Sequence, residues 1–181
     1  MMRRIGIFGG SFNPVHNGHI RVALAAARDC NLDKVFAIPA HVSPFKTSSP
    51  PWPDAFRLEL VRIAFAPFAP LLEVSAFEIE RACTSYAIDT VRHFKALYPG
   101  AEIFFIIGED SLAGLPRWKD WTELQRLAHF KAYPRTFESS TEIRRRLASG
   151  EDISGFVPAA IIPKLAAFAA AEQAKAAPGN G

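Results

Sequence analysis

The stretch AEIFFIIG at residues 101–108 is a nearly continuous run of apolar residues with the length of one strand. Such a run is typical of a strand that is buried on both faces, as strands of parallel sheets are. Further strand-like runs occur at residues 5–8, 34–40, 71–80 and 129–133, and stretches with helical spacing separate them. This alternation predicts βαβ units and therefore a single three-layer α/β domain with a mostly parallel sheet.

The segments between these runs carry the signals of helices and of one long loop. Apolar residues recur at helical spacing in residues 18–30, 54–66, 84–100 and 122–127, with Asp54 and either Thr84 or Ser85 as expected N-caps. Residues 41–53, HVSPFKTSSPPWP, contain four prolines, which neither a helix nor a central strand accepts. The chain ends in helical segments at residues 139–150 and 158–177. We expect residues 1–176 to form one domain with a helical C-terminus, and residues 177–181 to form a frayed tail.

The bulk composition is that of an ordinary globular protein and disfavours several classes. The 181 residues are 49% hydrophobic and 22% charged, and the net charge of +3 suits anionic ligands but is too small to favour nucleic-acid binding. No apolar stretch approaches the roughly 18 residues that a membrane helix needs. Cys30 and Cys83 have the spacing of neither a zinc site nor a redox pair. We therefore expect a cytoplasmic protein without membrane or nucleic-acid partners, and the sequence leaves open whether it forms a homo-oligomer.

Polar segments follow three of the predicted strands. They are GGSFNPVHNGHI at residues 9–20, GEDS at residues 108–111 and SSTEIR at residues 139–144. Parallel sheets bind ligands at the carboxyl ends of their strands. The three segments are therefore expected to meet at one edge of the sheet and to form a site there.

The first polar segment places two histidines, His16 and His19, at the start of a helix. It contains neither G-x-x-x-x-G-K-[ST] nor G-x-G-x-x-G, which excludes a Walker A loop and the dinucleotide fingerprint. Free N–H groups at a helix start attract anions, and two imidazoles there can donate hydrogen bonds to phosphate oxygens. Phosphate binding is the favoured interpretation. A structural turn and a metal site are the alternatives, although no third metal ligand has a convincing spacing.

Four segments of the chain together resemble the nicotinate mononucleotide adenylyltransferases, a family of the nucleotidylyltransferase superfamily with an H-x-G-H motif. GGSFNPVHNGH (9–19) is similar to the G-[ST]-F-[ND]-P-x-H-x-G-H signature of that family, and SYAIDT (85–90) to its S-Y-T-x-D-T segment. FFIIGEDSLAGLPRWKDW (104–121) and SSTEIRRRL (139–147) resemble two further segments in the expected order. The resemblance covers roughly residues 4–147 and implies a single Rossmann-like domain.

The resemblance implies a reaction as well. It is the transfer of an adenylyl group from ATP to nicotinate mononucleotide, which yields nicotinate adenine dinucleotide and pyrophosphate in NAD biosynthesis. The acceptor phosphate is already anionic, so that catalysis is positioning and charge stabilisation. Magnesium enters with ATP, and no metal site built from protein ligands is expected. Three alternatives stay open: nicotinamide mononucleotide as acceptor, phosphopantetheine as acceptor, and a non-catalytic nucleotide-binding protein.

Roles for individual residues follow from the same resemblance. The catalytic residues would be His16 and His19, which would hold the ATP phosphates and the charge that develops in the transition state. ATP would further contact Gly9, Gly10, Ser11, Phe12, Lys46, Gly108, Asp110, Ser140, Thr141 and Arg144. The acceptor would contact Ser85, Tyr86, Ala87, Trp118, Lys119 and Arg135, while Asp89 and Thr90 would lie near the site without a catalytic role.

Structural roles are the alternatives for several of these residues. The two histidines and Asp110 could cap helices, Trp118 could pack in the core, and Lys46 could be exposed to solvent.

The chain departs from the family pattern at several places, among them the C-terminal helix, which is alanine-rich and lacks the aromatic ending common in the family. Phe45 stands where the family has a histidine, and Glu138 stands where it has an isoleucine. Only TFE (136–138) joins HFKAYPR (129–135) to SSTEIR, where the family has several tens of residues and a further strand. We expect this shortened connection to bear on substrate choice or subunit contacts.

Overall fold

A computed structural model describes residues 3–44 and 52–176 of the chain. The strands are β1 (Arg4–Gly10), β2 (Lys34–Pro39), β3 (Leu72–Val74), β4 (Glu102–Gly108) and β5 (Ala128–Tyr133). The α-helices are α1 (Asn17–Asp29), α2 (Asp54–Phe65), α3 (Phe77–Glu80), α4 (Ala87–Leu97), α5 (Trp121–Leu127), α6 (Ser140–Ser149) and α7 (Ile162–Ala176). Short 3-10 helices cover Ala66–Phe68, Glu109–Arg117 and Ala159–Ile161.

The strands form one parallel sheet in the order β3-β2-β1-β4-β5. Ile7 of the central strand β1 is level with Phe36 of β2 and with Phe105 of β4. From β1 the chain builds outward to β2 and β3 on one side and later to β4 and β5 on the other. The loops after β1 and β4 therefore separate above the sheet, at the kind of switch point where α/β folds bind ligands.

The sheet is covered on both faces, which explains the long apolar run of β4. Phe104 and Ile106 pack in one buried layer together with residues of α1, α2, α6 and α7, among them Leu60 and Ile143. Ile103, Phe105 and Ile107 point to the other face and pack against α4 and α5. Successive side chains of a strand alternate between the faces, so each of the buried positions 103–107 of β4 carries an apolar residue. The prediction of a three-layer α/β domain is confirmed.

Some predicted element boundaries are wrong. The strand-like run at residues 71–80 is a strand only over Leu72–Val74, because the Ser75 hydroxyl accepts the Phe77 N–H at 3.3 Å and the chain turns into α3. Neither Thr84 nor Ser85 caps α4, which begins at Ala87 after Tyr86. The Ser85 hydroxyl instead accepts the N–H of His41 at 3.0 Å.

Other boundaries depend on single side chains. The prediction that Asp54 is the N-cap of α2 is wrong, because Asp54 is the first residue of the helix and Pro53 is at the N-cap position. Ser139 caps α6 by accepting the Glu142 N–H at 3.1 Å, and Gly150 ends the helix with a φ of 70°.

No helix within residues 3–44 and 52–176 has the length and apolarity needed to cross a bilayer.

Candidate active site

A cleft lies along the carboxyl edge of the sheet, above the ends of β1 and β4. It consists of two adjoining pockets of about 620 Å³ and about 420 Å³. We call the larger the α1-side pocket; its wall includes His16, His19, Ser140, Thr141 and Arg144. The smaller is the α4-side pocket, with Ser85, Tyr86, Ala87, Trp118 and Lys119 in its wall. Both pockets share Phe8, Gly9, Gly10, Ser11, Gly108, Asp110 and Arg135, so one elongated ligand can occupy them together.

The loop between β1 and α1 forms the floor of the α1-side pocket and is anchored by Phe12. This residue has a φ of 43°, in the left-handed region that residues with a side chain seldom adopt. Its ring is 1% exposed and packs 5.6 Å from the Phe8 ring and 4.8 Å from the His19 ring. Phe12 thus supports His19 from behind, and burial of its ring offsets the backbone strain.

His16 and His19 lie against each other, with ring centroids 3.6 Å apart. The backbone N–H of His16 donates to Nδ1 of His19 at 3.1 Å. Because Nδ1 accepts this hydrogen bond, the proton of the neutral His19 ring is carried by Nε2. Nε2 is therefore a hydrogen-bond donor at the wall of the pocket.

The His16 ring is uncharged at neutral pH. Burial lowers its pKa to about 4; the nearby Glu138 carboxylate opposes this shift and the Arg21 guanidinium adds to it. Nδ1 of His16 is buried and has no hydrogen-bond partner in the part of the chain that the structure describes. Unpartnered buried polar atoms are uncommon in folded proteins. The His16 ring therefore adds no positive charge to the pocket at neutral pH.

The start of α6 is tied directly to the β1–α1 loop. The Ser140 hydroxyl donates to the Pro14 carbonyl at 2.9 Å. The guanidinium of Arg144 donates to the Asn13 carbonyl at 2.6 Å and to the Thr141 hydroxyl at 3.3 Å. Burial lowers the pKa of Arg144, which nevertheless remains a cation. The N-termini of α1 and α6 thus meet at one pocket, and helix N-termini favour negative charge.

Asp110 and Arg135 form an ion pair where the two pockets join. The Asp110 carboxylate raises the pKa of Arg135 through a hydrogen bond and through its charge. Asp110 is the second residue of the 3-10 helix Glu109–Arg117, and Gly108 is the residue before that helix. The alternative that Asp110 is an N-cap is therefore wrong.

The α4-side pocket is formed mainly by aromatic residues and by the start of α4. The Trp118 ring packs edge-on against Phe105 at 5.8 Å and Phe130 at 6.0 Å while it also lines the pocket. The ammonium of Lys119 lies 4.6 Å from the centre of the Tyr86 ring. Trp118 consequently combines the two roles, core packing and pocket wall, that were alternatives in the sequence.

Two neighbours of the α4-side pocket have structural partners. Asp89 lies 3.3 Å from Arg81 and 3.7 Å from Lys119 in ion pairs. Thr90 is fully buried and donates a hydrogen bond of 2.6 Å to Glu78. Both residues hold the start of α4 in place, next to the pocket.

Comparison with known proteins assigns the chain to a family. The cytidylyltransferase-like family model matches residues 7–156. A Methylacidiphilum infernorum protein named probable nicotinate-nucleotide adenylyltransferase is 39% identical over 87% of this chain and 87% of its own length. The nicotinate-nucleotide adenylyltransferase of Bacillus subtilis is 34% identical over 87% of this chain and 92% of its own length. The chain belongs to the nicotinate-nucleotide adenylyltransferase family.

The fold of the family is shared as well. A crystal structure of a Vibrio parahaemolyticus protein superposes with a TM-score of 0.76 at 24% identity, covering 92% of this chain and 93% of that one. The Rossmann-like fold and the family membership expected from the sequence are both confirmed.

The structure brings the predicted site residues of this family member together. Every one of them within residues 3–44 and 52–176 lines one or both of the pockets. Those predicted to bind ATP lie in the α1-side pocket, and those predicted to bind the acceptor lie in the α4-side pocket. Lys46 lies outside the described residues. Their contacts with substrates stay predictions.

Sequence reasoning missed several residues of the cleft. Asn13, His41, Thr136 and Glu138 line the α1-side pocket, and Glu78 lines the α4-side pocket. Asn13 and Glu138 lie within or beside quoted motifs, so adjacency could have found them. His41 follows a strand in a proline-rich segment, and no pattern in the sequence distinguishes it from a loop residue.

The shortened connection after β5 forms part of the pocket wall. A Cβ on Gly18 would lie 2.0 Å from the Thr136 hydroxyl oxygen, so α1 begins in close contact with this connection. The Glu138 side chain is fully buried and paired with Arg21. Burial favours the neutral acid, but hydrogen bonds from Arg21 and Thr136 lower the pKa of Glu138. The connection thus places an ion pair beside His16.

Proposed function

We propose that this chain transfers the adenylyl group of ATP to nicotinate mononucleotide, releasing pyrophosphate and forming nicotinate adenine dinucleotide. The observation that carries the proposal is the meeting of two unlike pockets above the end of β1. The α1-side pocket offers imidazole, hydroxyl and guanidinium donors, and the α4-side pocket offers aromatic faces. The names of the two bacterial relatives support this reaction.

The triphosphate of ATP would lie in the α1-side pocket. His19 Nε2, the Thr141 hydroxyl and the Arg144 guanidinium are donors in its wall, and two helix N-termini add favourable partial charge. The adenosine would extend past Gly108 toward Asp110. A Cβ on Gly108 would lie 2.4 Å from the Asp110 carboxylate, so glycine lets this carboxylate approach the backbone.

The acceptor ring would lie in the α4-side pocket against Trp118 and Tyr86. No side chain caps α4, which begins at Ala87. The first N–H groups of a helix have no partner within it, and here they can bind the carboxylate of nicotinate, together with Lys119. A nicotinamide ring is neutral and would gain less from these donors, which supports nicotinate as the acceptor.

In the chemical step, a phosphate oxygen of the acceptor attacks the α-phosphorus of ATP and forms a new P–O bond. The bond between that phosphorus and the bridging oxygen breaks, and pyrophosphate leaves with the electron pair. No proton has to be removed from the attacking oxygen, because the phosphate is already anionic. The histidine pair and Arg144 stabilise the negative charge that accumulates on the transferred group and on the leaving group.

Magnesium would accompany ATP. The described residues contain no group of three or more side chains that could hold a metal ion. The carboxylates of the α1-side pocket, Asp110 and Glu138, are each paired with an arginine. The ion would therefore be bound by phosphate oxygens and water, as magnesium often is, and would supply neutralising charge.

Both cysteines are free thiols, which supports a reducing cytoplasmic location.

The test is to supply MgATP with one acceptor at a time and to measure pyrophosphate release. We expect release with nicotinate mononucleotide to exceed that with nicotinamide mononucleotide or phosphopantetheine by at least tenfold in kcat/KM. Preference for another acceptor would reassign the substrate. If the protein binds ATP but none of the three acceptors leads to pyrophosphate release, a non-catalytic nucleotide-binding protein would be favoured.

A further inference from the structure

His41 lies immediately after β2 and lines the α1-side pocket. Its side chain is 29% exposed, and its ring nitrogen Nδ1 is paired with the carboxylate of Asp54. The two nitrogens of an imidazole ring point in different directions. With Nδ1 directed at Asp54, Nε2 is the nitrogen left to face a ligand. No hydrogen bond to Nε2 is observed within residues 3–44 and 52–176.

The Asp54 carboxylate is itself held by Arg57. The Arg57 side chain is fully buried in the protein, one turn further along α2. A charged side chain is seldom buried unless its donors and its charge are satisfied. Arg57 therefore needs specific partners.

Arg57 finds those partners in three segments around the cleft. It donates to the Ser11 carbonyl at 2.6 Å, to the Ala40 carbonyl at 2.7 Å and to the Trp52 carbonyl at 2.9 Å. Ser11 belongs to the floor of the cleft, and Ala40 precedes His41. One buried guanidinium thus fixes the floor, the end of β2 and the carboxylate that orients His41.

We propose that His41 is an additional phosphate ligand of the cleft, donating from Nε2 to a phosphate oxygen of the bound polyphosphate. Asp54 fixes the ring orientation through Nδ1, and the ring donates to the phosphate in the form that carries a proton on both nitrogens. Arg57 balances the charge of Asp54, so this carboxylate adds no net negative charge beside a bound anion. The inference rests on the proposed function, which supplies the polyphosphate.

The role can be tested with two substitutions, each of which retains a nitrogen near only one of the two ring nitrogen positions. In His41→Asn, the amide nitrogen takes the place of Nδ1 and keeps the hydrogen bond to Asp54, but the donor at Nε2 is lost. In His41→Gln, the longer side chain places its amide nitrogen near the Nε2 position. His129→Ala is the matched control, since His129 is exposed on β5 and lines neither pocket.

The probe is inorganic pyrophosphate, and its dissociation constant is measured by calorimetry without any acceptor. We expect His41→Asn to weaken binding about tenfold, as the loss of one charge-assisted hydrogen bond does. His41→Gln is expected to stay within about threefold of wild type, and His129→Ala to bind like wild type. A purely structural role for His41 gives the reverse pattern, in which Asn retains binding and Gln loses it, and that result would overturn the inference.

A second measurement needs no variant. Pyrophosphate added to wild-type protein carrying 15N-labelled histidine should shift the Nε2 resonance of His41, and an unchanged resonance would refute the role. The outcomes also separate the two proposals. Normal turnover with unaltered pyrophosphate affinity in His41→Asn rejects only this inference. The expected pyrophosphate pattern without turnover of nicotinate mononucleotide rejects only the proposed reaction.

Discussion

The α1-side and α4-side pockets adjoin above β1, yet they are held together by different interactions. Around the α1-side pocket, side chains donate to backbone carbonyls of neighbouring segments: Ser140 to Pro14, Arg144 to Asn13, and Arg57 to Ser11. Around the α4-side pocket, rings pack against rings, as Trp118 does against Phe105 and Phe130. The first pocket is a directed array of donors, and the second is a shaped apolar wall.

This difference indicates how the two substrates would be recognised. A polyphosphate is bound by donors in fixed directions, and directed donors require particular side chains. A flat aromatic ring is bound by contact area, which several residue types can supply. Loss of one donor should therefore affect the transition state strongly, whereas loss of one ring should affect acceptor binding mildly.

The largest effect is expected for His19. We predict that His19→Ala lowers kcat by about 10²–10³-fold, the usual cost of removing one donor to the charge of a transition state. His19→Asn is the sharper variant, because its side-chain oxygen can still accept the N–H of His16, as Nδ1 does now at 3.1 Å. It should lose activity equally while unfolding at the temperature of wild type. Activity of either variant within fivefold of wild type would contradict the donor role of His19.

The next effect concerns stability and arises from His16. The pKa of this ring is lowered by burial from 6.5 to about 4, so its neutral form is favoured in the folded state. The contribution of the neutral ring to stability is complete above pH 6.5, and it is lost as the pH falls through the folded-state pKa of about 4. A shift of this size corresponds to roughly 3 kcal/mol of unfolding free energy.

Urea unfolding between pH 7 and pH 4 measures this loss. The wild-type free energy of unfolding should fall by roughly 3 kcal/mol more than that of His16→Gln, whose side chain does not titrate. If the unfolding free energies of the two proteins fell equally between pH 7 and pH 4, His16 would be accessible to protons in the folded state. The comparison also tests whether the nearby Glu138 stabilises the charged ring more strongly than burial opposes it.

How far the sequence alone predicts the molecule differs between the two pockets. Residues 9–20 predict the α1-side pocket because the sequence itself shows the histidines, the glycines and the start of a helix. Trp118 and the segment at residues 85–90 indicate the α4-side pocket only through the family resemblance. The groups proposed to bind the nicotinate carboxylate there include backbone N–H groups at the start of α4, and any residue except proline provides these.

Arg57 and His41 show why the remainder is not visible in the sequence. Arg57 lies in a helix whose charged residues are expected to face solvent, yet it is fully buried, because carbonyls of three segments converge on it. That convergence depends on the tertiary packing of β1, β2 and α2. Likewise, the strand-like run at residues 71–80 is helical from Phe77, where the Ser75 hydroxyl accepts the Phe77 N–H.

A moderate effect is expected in the α4-side pocket. We predict that Trp118→Ala raises the KM of the acceptor about tenfold, the typical cost of one lost stacking contact, and leaves the KM of ATP within twofold. Trp121→Ala is the matched control, because its ring packs 5.1 Å from Phe130 but lies outside both pocket walls. An equal rise in both KM values for Trp118→Ala would mean that the ring supports the whole cleft.

The smallest effect concerns Glu78, a buried residue in the wall of the α4-side pocket. Burial raises its pKa, and hydrogen bonds from Thr90 and Ser85 oppose the shift only in part. The folded state therefore favours the neutral acid, and the resulting stabilisation, present below pH 4.5, is lost as the pH rises through the raised pKa. Glutamine stays neutral and can still accept the Thr90 hydrogen bond, so Glu78→Gln should gain stability relative to wild type as the pH rises.

Thermal unfolding at pH 4 and pH 8 tests this prediction, with Glu80→Gln, an exposed residue of α3, as the control. The difference in melting temperature between Glu78→Gln and wild type should be more positive at pH 8 than at pH 4, while Glu80→Gln should show no such trend. A difference that grows instead toward pH 4 would mean that the ionised carboxylate stabilises the fold. The α4-side pocket would then depend on a buried charge, as the α1-side pocket depends on Arg57, and the contrast between the two would be lost.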